Sequence, residues 1–252
     1  MGSYVREPPA ATNNPVTHVP ALGVGTLTPF DIAFHHATPH GVLTAVHLPD
    51  APDPVPEHVL ARLPVDEEAY ARSLRAYRQV SFVGGRLALR TACVQLGDDP
   101  PAILPDEHGA PSLPDRVSGS ISHKRSLAVG MAGQARNGTI GVDLEEYSPQ
   151  RLNIASAILT DGELATIEQL PEDRRWIALL TRFSIKEAIY KALNPYVRRY
   201  VDFKEAEVTP DLEGAATVRM SLAKGEGPFA IEARYEWFQG RLLTSVRARP
   251  LG

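Results

Sequence analysis

Thiol chemistry has almost no material in this chain. Cys93 is the one cysteine among 252 residues, which excludes an internal disulfide and argues against a cysteine-ligated zinc site. Long apolar runs are missing too, and none approaches the roughly 20 residues that span a bilayer. Residues 1–20 carry Pro, Asn and Thr without a basic region followed by an apolar core, so they do not read as a signal peptide. An excess of positive charge is also absent. Lys and Arg number 26 against 30 Asp and Glu, a net charge of −4, which disfavours a strongly basic nucleic-acid binder. The expectation is a cytoplasmic protein with neither membrane nor nucleic-acid partners.

Hydrophobic residues at 43% and charged residues at 22% are ordinary for a folded domain. The length suits one large domain or two modest ones. Residues 1–30 read as loosely ordered. Residues 30–47 read as two strands around Pro39-His40-Gly41, and residues 64–96 carry a helical period of apolar positions. After a loop rich in Gly, Pro and Asp, residues 121–132 read as a strand, 134–138 as a turn and 139–145 as the next strand. Ser148-Pro149 reads as a helix start. Thr160 and Glu163 form a second, clearer start through a capping box. Residues 174–193 form a long amphipathic helix closed by Asn194-Pro195. Strands alternating with Gly turns at 225–227 and 240 then form a meander. This order predicts an α+β fold of two similar halves, residues 1–138 and 139–252, each a small antiparallel sheet packed with helices.

Asp143 and Glu145 are two apart in a predicted strand and share a face, with Val142 and Leu144 pointing the other way toward a core. Two carboxylates on one face repel unless a cation lies between them, and oxygen-only ligands suit Mg²⁺. A solvated strand face explains an isolated D-x-E equally well. Glu187 and Lys191 are four apart on one helical face and, on spacing alone, read as a surface pair. Lys186 lies on a different part of that helix, so its stem would have to wrap to reach the same ligand.

Taken together, G-V-D-L-E at 141–145 and F-S-I-K-E-A-I-Y-K at 183–191, about forty residues apart, resemble the two signature motifs of the 4′-phosphopantetheinyl transferases of the large surfactin- and enterobactin-synthetase type. Upstream, G-S-I-S-H-K at 119–124 resembles the family's S-x-S-H element. Residues 78–90 resemble the helix that carries coenzyme A contacts in the enterobactin-type members. The sequence departs from the family at Gly109-Ala110-Pro111, where many relatives have G-K-P.

The resemblance implies a pseudo-two-fold monomer whose substrates are coenzyme A and a serine of an apo acyl or peptidyl carrier protein. It implies Mg²⁺, with Mn²⁺ as an alternative, on Asp143, Glu145 and Glu187. Glu187 would act as general base, and Lys186 and Lys191 would stabilise developing charge. Ser122 and His123 would hold the pyrophosphate, and Arg78 and Arg86 the 3′-phosphate. The first half would then carry the coenzyme A contacts and the second the metal and catalytic helix. Arg151, Arg174 and Arg175, within 150–182, are candidates for docking an acidic carrier. Two other readings of the same residues are a Mg²⁺-dependent phosphohydrolase of coenzyme A or nucleotides, and a non-catalytic binder of coenzyme A or carrier.

Overall fold

The computed structural model describes residues 28–251, which divide into two compact units, one ending at Asn137 and the other beginning at Gly138. The stretch read as loosely ordered, apart from its last residues, and residues 1–20, tested above for a signal-peptide pattern, lie outside the described residues. Among those described, no helix is long and apolar enough to cross a membrane.

The first unit is a four-stranded antiparallel sheet with helices. Strands β1 (Ile32–Thr38) and β2 (Gly41–His47) form the expected hairpin. A short helix α1 (Glu57–Leu60) is followed by α2 (Val65–Ser73) and α3 (Tyr77–Gln95), then by β3 (Val117–Lys124) and β4 (Leu127–Gln134). The strand order is β1-β2-β4-β3. Two sequence readings change here. The single helical stretch is two helices, broken where Ala76 takes a left-handed φ of 50°. The single strand is a hairpin, since Lys124 pairs with Leu127 across a two-residue turn.

Gly84-Gly85, a pair that lowers helix stability, has its reason in this unit. A Cβ on Gly84 would collide with Leu48, and one on Gly85 would come within 2.8 Å of Ile121 Cγ2. The glycines therefore admit the sheet to α3, rather than a ligand or another helix. Val80, Val83, Leu87 and Ala88 join Val46, Leu48 and Ala128 in the core beneath that helix.

The second unit begins with β5 (Thr139–Glu146), followed by α4 (Ala155–Ile158), α5 (Asp161–Glu168) and α6 (Glu172–Val197). It closes with β6 (Ala206–Pro210), β7 (Ala215–Met220), β8 (Phe229–Phe238) and β9 (Arg241–Pro250). The antiparallel sheet runs β5-β9-β8-β7-β6, so the meander returns its last strand beside β5. The capping box forms as read: Glu163 N donates to Thr160 Oγ1, and Thr160 N to the Glu163 carboxylate. Ser148-Pro149 starts no helix, and the next turn, a 3₁₀ turn, begins only at Leu152. Pro195 does not end α6 either. At the last turn a proline removes one hydrogen bond rather than many, and Val197 beyond it packs on the core.

α6 lies across β5 at very short range. A Cβ on Gly141 would overlap the carbonyl of Ala188, so only glycine admits the helix there. The core on this side contains Ile185, Ala188, Ile189 and Ala192 of α6 with Leu242, Val246 and Ala248 of β9.

Candidate active site

The contact at Gly141 fixes which face of β5 meets α6, and it is the face of Asp143 and Glu145. Both are buried, with 4% and 8% of their surface exposed. The sequence reading put the core behind Val142 and Leu144. Those residues are indeed buried, but the carboxylates themselves point into the sheet–helix contact. A carboxylate there must be paired, because desolvating an isolated charge is very costly.

Asp143 is paired at both oxygens. Lys191 Nζ donates to Oδ1 at 2.9 Å and to the Val142 carbonyl at 2.9 Å. Ser184 Oγ donates to Oδ2 at 2.8 Å. Ser184 and Lys191 are seven residues apart, two turns of one helical stripe. Thr244, directly opposite Asp143 on β9, places Oγ1 2.9 Å from Ser184 Oγ and donates to the Ser184 carbonyl at 3.1 Å. Sequence reading missed both hydroxyls. Ser184 stood inside a quoted motif, yet Thr244, sixty residues on, left no signal at all.

Glu187 sits on α6 between Ser184 and Lys191 and is half-buried. The phenol of Tyr200 is pushed up by burial first, then by the charges of Asp202 and Glu187, so Glu187 also senses the segment just beyond α6. Lys191 reaches across to β5, where the sequence suggested a pair along the helix. Among the described residues, no three His, Cys, Asp or Glu side chains gather closely enough to form a metal cage. The donor set still suits a hard cation. Asp143 and Glu145 offer buried carboxylate oxygens from one strand face, and Mg²⁺ characteristically takes one or two carboxylates with water and phosphate oxygens.

Lys186 is not brought to this group. Its Nζ donates to Glu163 Oε2 at 2.6 Å and to the Ile158 carbonyl at 2.9 Å, with 1% of the side chain exposed. Burial disfavours its charged ammonium over the neutral amine and lowers its pKa, opposed by Glu163. Glu163 Oε1 in turn accepts from Val208 N at 2.7 Å, so one carboxylate ties together α5, α6 and β6.

The upstream residues divide in the same way. Arg78 is exposed on the first turn of α3. Arg86 is buried, donates to the Ile103 carbonyl at 2.5 Å and stacks 4.5 Å over the Phe82 ring. Burial pulls its guanidinium down to about 10. One guanidinium is therefore exposed while the other is buried against Ile103 and Phe82. Beside Arg86 the fully buried Glu67, unremarked in the sequence, accepts from Ile103 N at 2.6 Å and Arg90 at 3.1 Å. On β3, Ser122 is buried and His123 exposed. Ala110 occupies a tight turn in which Asp106 Oδ1 accepts from His108 N and Ala110 N, each at 2.8 Å. Of the docking candidates, Arg175 caps the end of α5 by donating to the carbonyls of Glu168 and Leu170.

Residues 139–244, which carry Asp143, Ser184, Glu187, Lys191 and Thr244, match the 4′-phosphopantetheinyl transferase superfamily. Residues 66–133 match the 4′-phosphopantetheinyl transferase N-terminal domain. The chain is 33% identical over 218 residues to 4′-phosphopantetheinyl transferase Svp of Streptomyces mobaraensis, covering 81% of each. It belongs to the 4′-phosphopantetheinyl transferases. A second member, transferase Npt of Nocardia iowensis, is 34% identical over 70% of this chain and 76% of its own length. Enterobactin synthase component D of Salmonella austin is 30% identical over 73% and 75% respectively. Within this transferase family, the buried Asp143–Lys191 pair and the helix α6 that carries Glu187 lie inside the matched superfamily region.

Proposed function

We propose that this chain transfers the phosphopantetheine arm of coenzyme A to a serine hydroxyl of an apo acyl or peptidyl carrier protein, releasing 3′,5′-ADP. The observation that supports this reading most is the Asp143 carboxylate. It is buried and held at both oxygens within the region that matches the superfamily.

In the proposed reaction the serine oxygen attacks the β-phosphorus and its bond to the oxygen of 3′,5′-ADP breaks. Glu187 takes the serine proton, in keeping with a half-buried carboxylate on the face of α6 that meets β5. Asp143, Glu145 and Glu187 would hold Mg²⁺, which when bound neutralises pyrophosphate charge. Lys191, fixed by Asp143 and Val142, would balance charge on the leaving group. Arg78, Ser122 and His123 would contact coenzyme A from the first unit. Arg86 and Lys186 would act through what they hold in place, Ile103 and Glu163. Phosphoryl-type transfer of this kind rests mainly on positioning and charge neutralisation. The first half as read from the sequence, residues 1–138, would serve coenzyme A, and the second, residues 139–252, the metal and the base.

Release of 3′,5′-ADP from coenzyme A and Mg²⁺, followed with and without several apo-carriers, tests the choice of acceptor. Release only when a carrier is present is expected. Equal release without carrier would make water the acceptor and overturn the proposal in favour of hydrolysis.

A further inference from the structure

Two hydroxyls lie where packing alone would favour methyl groups. Ser184 and Thr244 are both fully buried. On the helix-facing side of β9, the neighbours of Thr244 are Leu242 and Val246, both apolar. A buried hydroxyl is tolerated when it is hydrogen-bonded, and these two form a chain with a direction. A carboxylate can only accept, so the single proton of Ser184 goes to Asp143 Oδ2. The one proton of Thr244 then faces two acceptors on Ser184, the carbonyl at 3.1 Å, to which it donates, and the hydroxyl oxygen at 2.9 Å.

With this proton order, Asp143 is gripped from two sides by unequal partners. Lys191 holds Oδ1 from the end of a long, partly exposed stem. Ser184 holds Oδ2 from a side chain with one torsion, on a helix pressed against β5 at Gly141. The second contact is the rigid one, and Thr244, bonded to the Ser184 carbonyl and 2.9 Å from its hydroxyl, holds that residue in place. Partners that orient a ligating carboxylate commonly affect metal affinity by about 10- to 100-fold.

We propose that Ser184 and Thr244 are positioning residues that set the orientation of the Asp143 carboxylate for its metal. This rests on the transferase reading above, in which Asp143 is a ligand. Binding is read directly, with Mn²⁺ titrated into the full chain in the presence of coenzyme A and the free ion followed by electron paramagnetic resonance. Thermal unfolding is measured on the same samples. Ser184→Ala should weaken Mn²⁺ binding about 10-fold or more. Thr244→Val, which keeps the shape and removes the donor, should weaken it less, and Thr244→Ser should restore it. A folded Ser184→Ala protein with wild-type Mn²⁺ affinity would overturn the proposal and leave the hydroxyls a packing role. Should Ser184→Ala not fold, wild-type affinity in Thr244→Val would overturn it instead. Asp143→Asn distinguishes the two levels: retained binding there removes Asp143 as a ligand and takes the transferase site down with it. Lost binding in Asp143→Asn beside intact binding in Ser184→Ala overturns only the positioning role.

Discussion

Lys186 offers a sharp test, because its motif points to substrate and its contacts point to the core. Replacing it with Met keeps the length of the stem and removes the charge. Glu163, buried with 3% exposure, then keeps its bonds from Thr160 N and Val208 N but loses the cation hydrogen-bonded to it, Nζ at 2.6 Å. Breaking a buried ion pair by removing one partner costs about 3–5 kcal/mol. The two remaining backbone donors place this case toward ~3 kcal/mol, a large share of a typical total of about 5–15 kcal/mol. Urea unfolding should show the midpoint falling with the slope unchanged. The double variant Lys186→Met/Glu163→Gln should recover part of the loss, since an uncharged pair leaves no stranded carboxylate. A single variant as stable as wild type but unable to bind coenzyme A would refute this account and return Lys186 to the ligand.

Other expectations follow from the same geometry. Arg199 grips Glu205 and Glu226 with contacts between 2.6 and 3.0 Å, and these bonds hold both carboxyls down to about 2. Below the usual carboxylate range the unfolded chain then binds more protons than the folded one, so stability rises with pH in that window. Melting temperature should fall as pH drops from about 4.5 toward 2, and less steeply in Arg199→Met; equal slopes would discount the cluster. Gly141→Ala forces a methyl into the Ala188 carbonyl and should destabilise by about 3 kcal/mol or more, since backbone cannot swing aside, as read by denaturant midpoint. Arg78→Ala should weaken coenzyme A binding and leave the melting temperature alone, because Arg78 is exposed. Arg86→Ala should lower that temperature, having removed a buried contact to Ile103 at 2.5 Å. Calorimetry of ligand and protein separates the two arginines.

Much of the fold was legible because its signals are local. The capping box at Thr160 and Glu163 and the Gly turn at Gly240 each lie within a few residues, where spacing and geometry coincide. The breaks that went unread carry no such residues. The β3–β4 hairpin turns at Arg125-Ser126, and α2 stops before Ala76, with neither Gly nor Pro to mark the place. Pro195 and Ser148-Pro149 erred in the opposite direction, as markers of a helix stop and a helix start that the fold does not use.

In the candidate site, sequence placed Asp143, Glu187 and Lys191 on elements that do meet, through their spacing and the motifs around them. It could not supply partners distant in the chain. Nothing near Lys186 announces Glu163, and nothing near Asp143 announces Thr244. Arg78 and Arg86 looked equivalent on one helix, yet Phe82 and Ile103 decide that one is buried and the other exposed.

The most direct test is the mass of an apo-carrier after incubation with coenzyme A, Mg²⁺ and either this protein or its Asp143→Asn variant. A phosphopantetheine mass gain is expected with the wild-type chain and none with the variant. No gain with the wild-type chain across acyl and peptidyl carriers, or an equal gain with the variant, would contradict it.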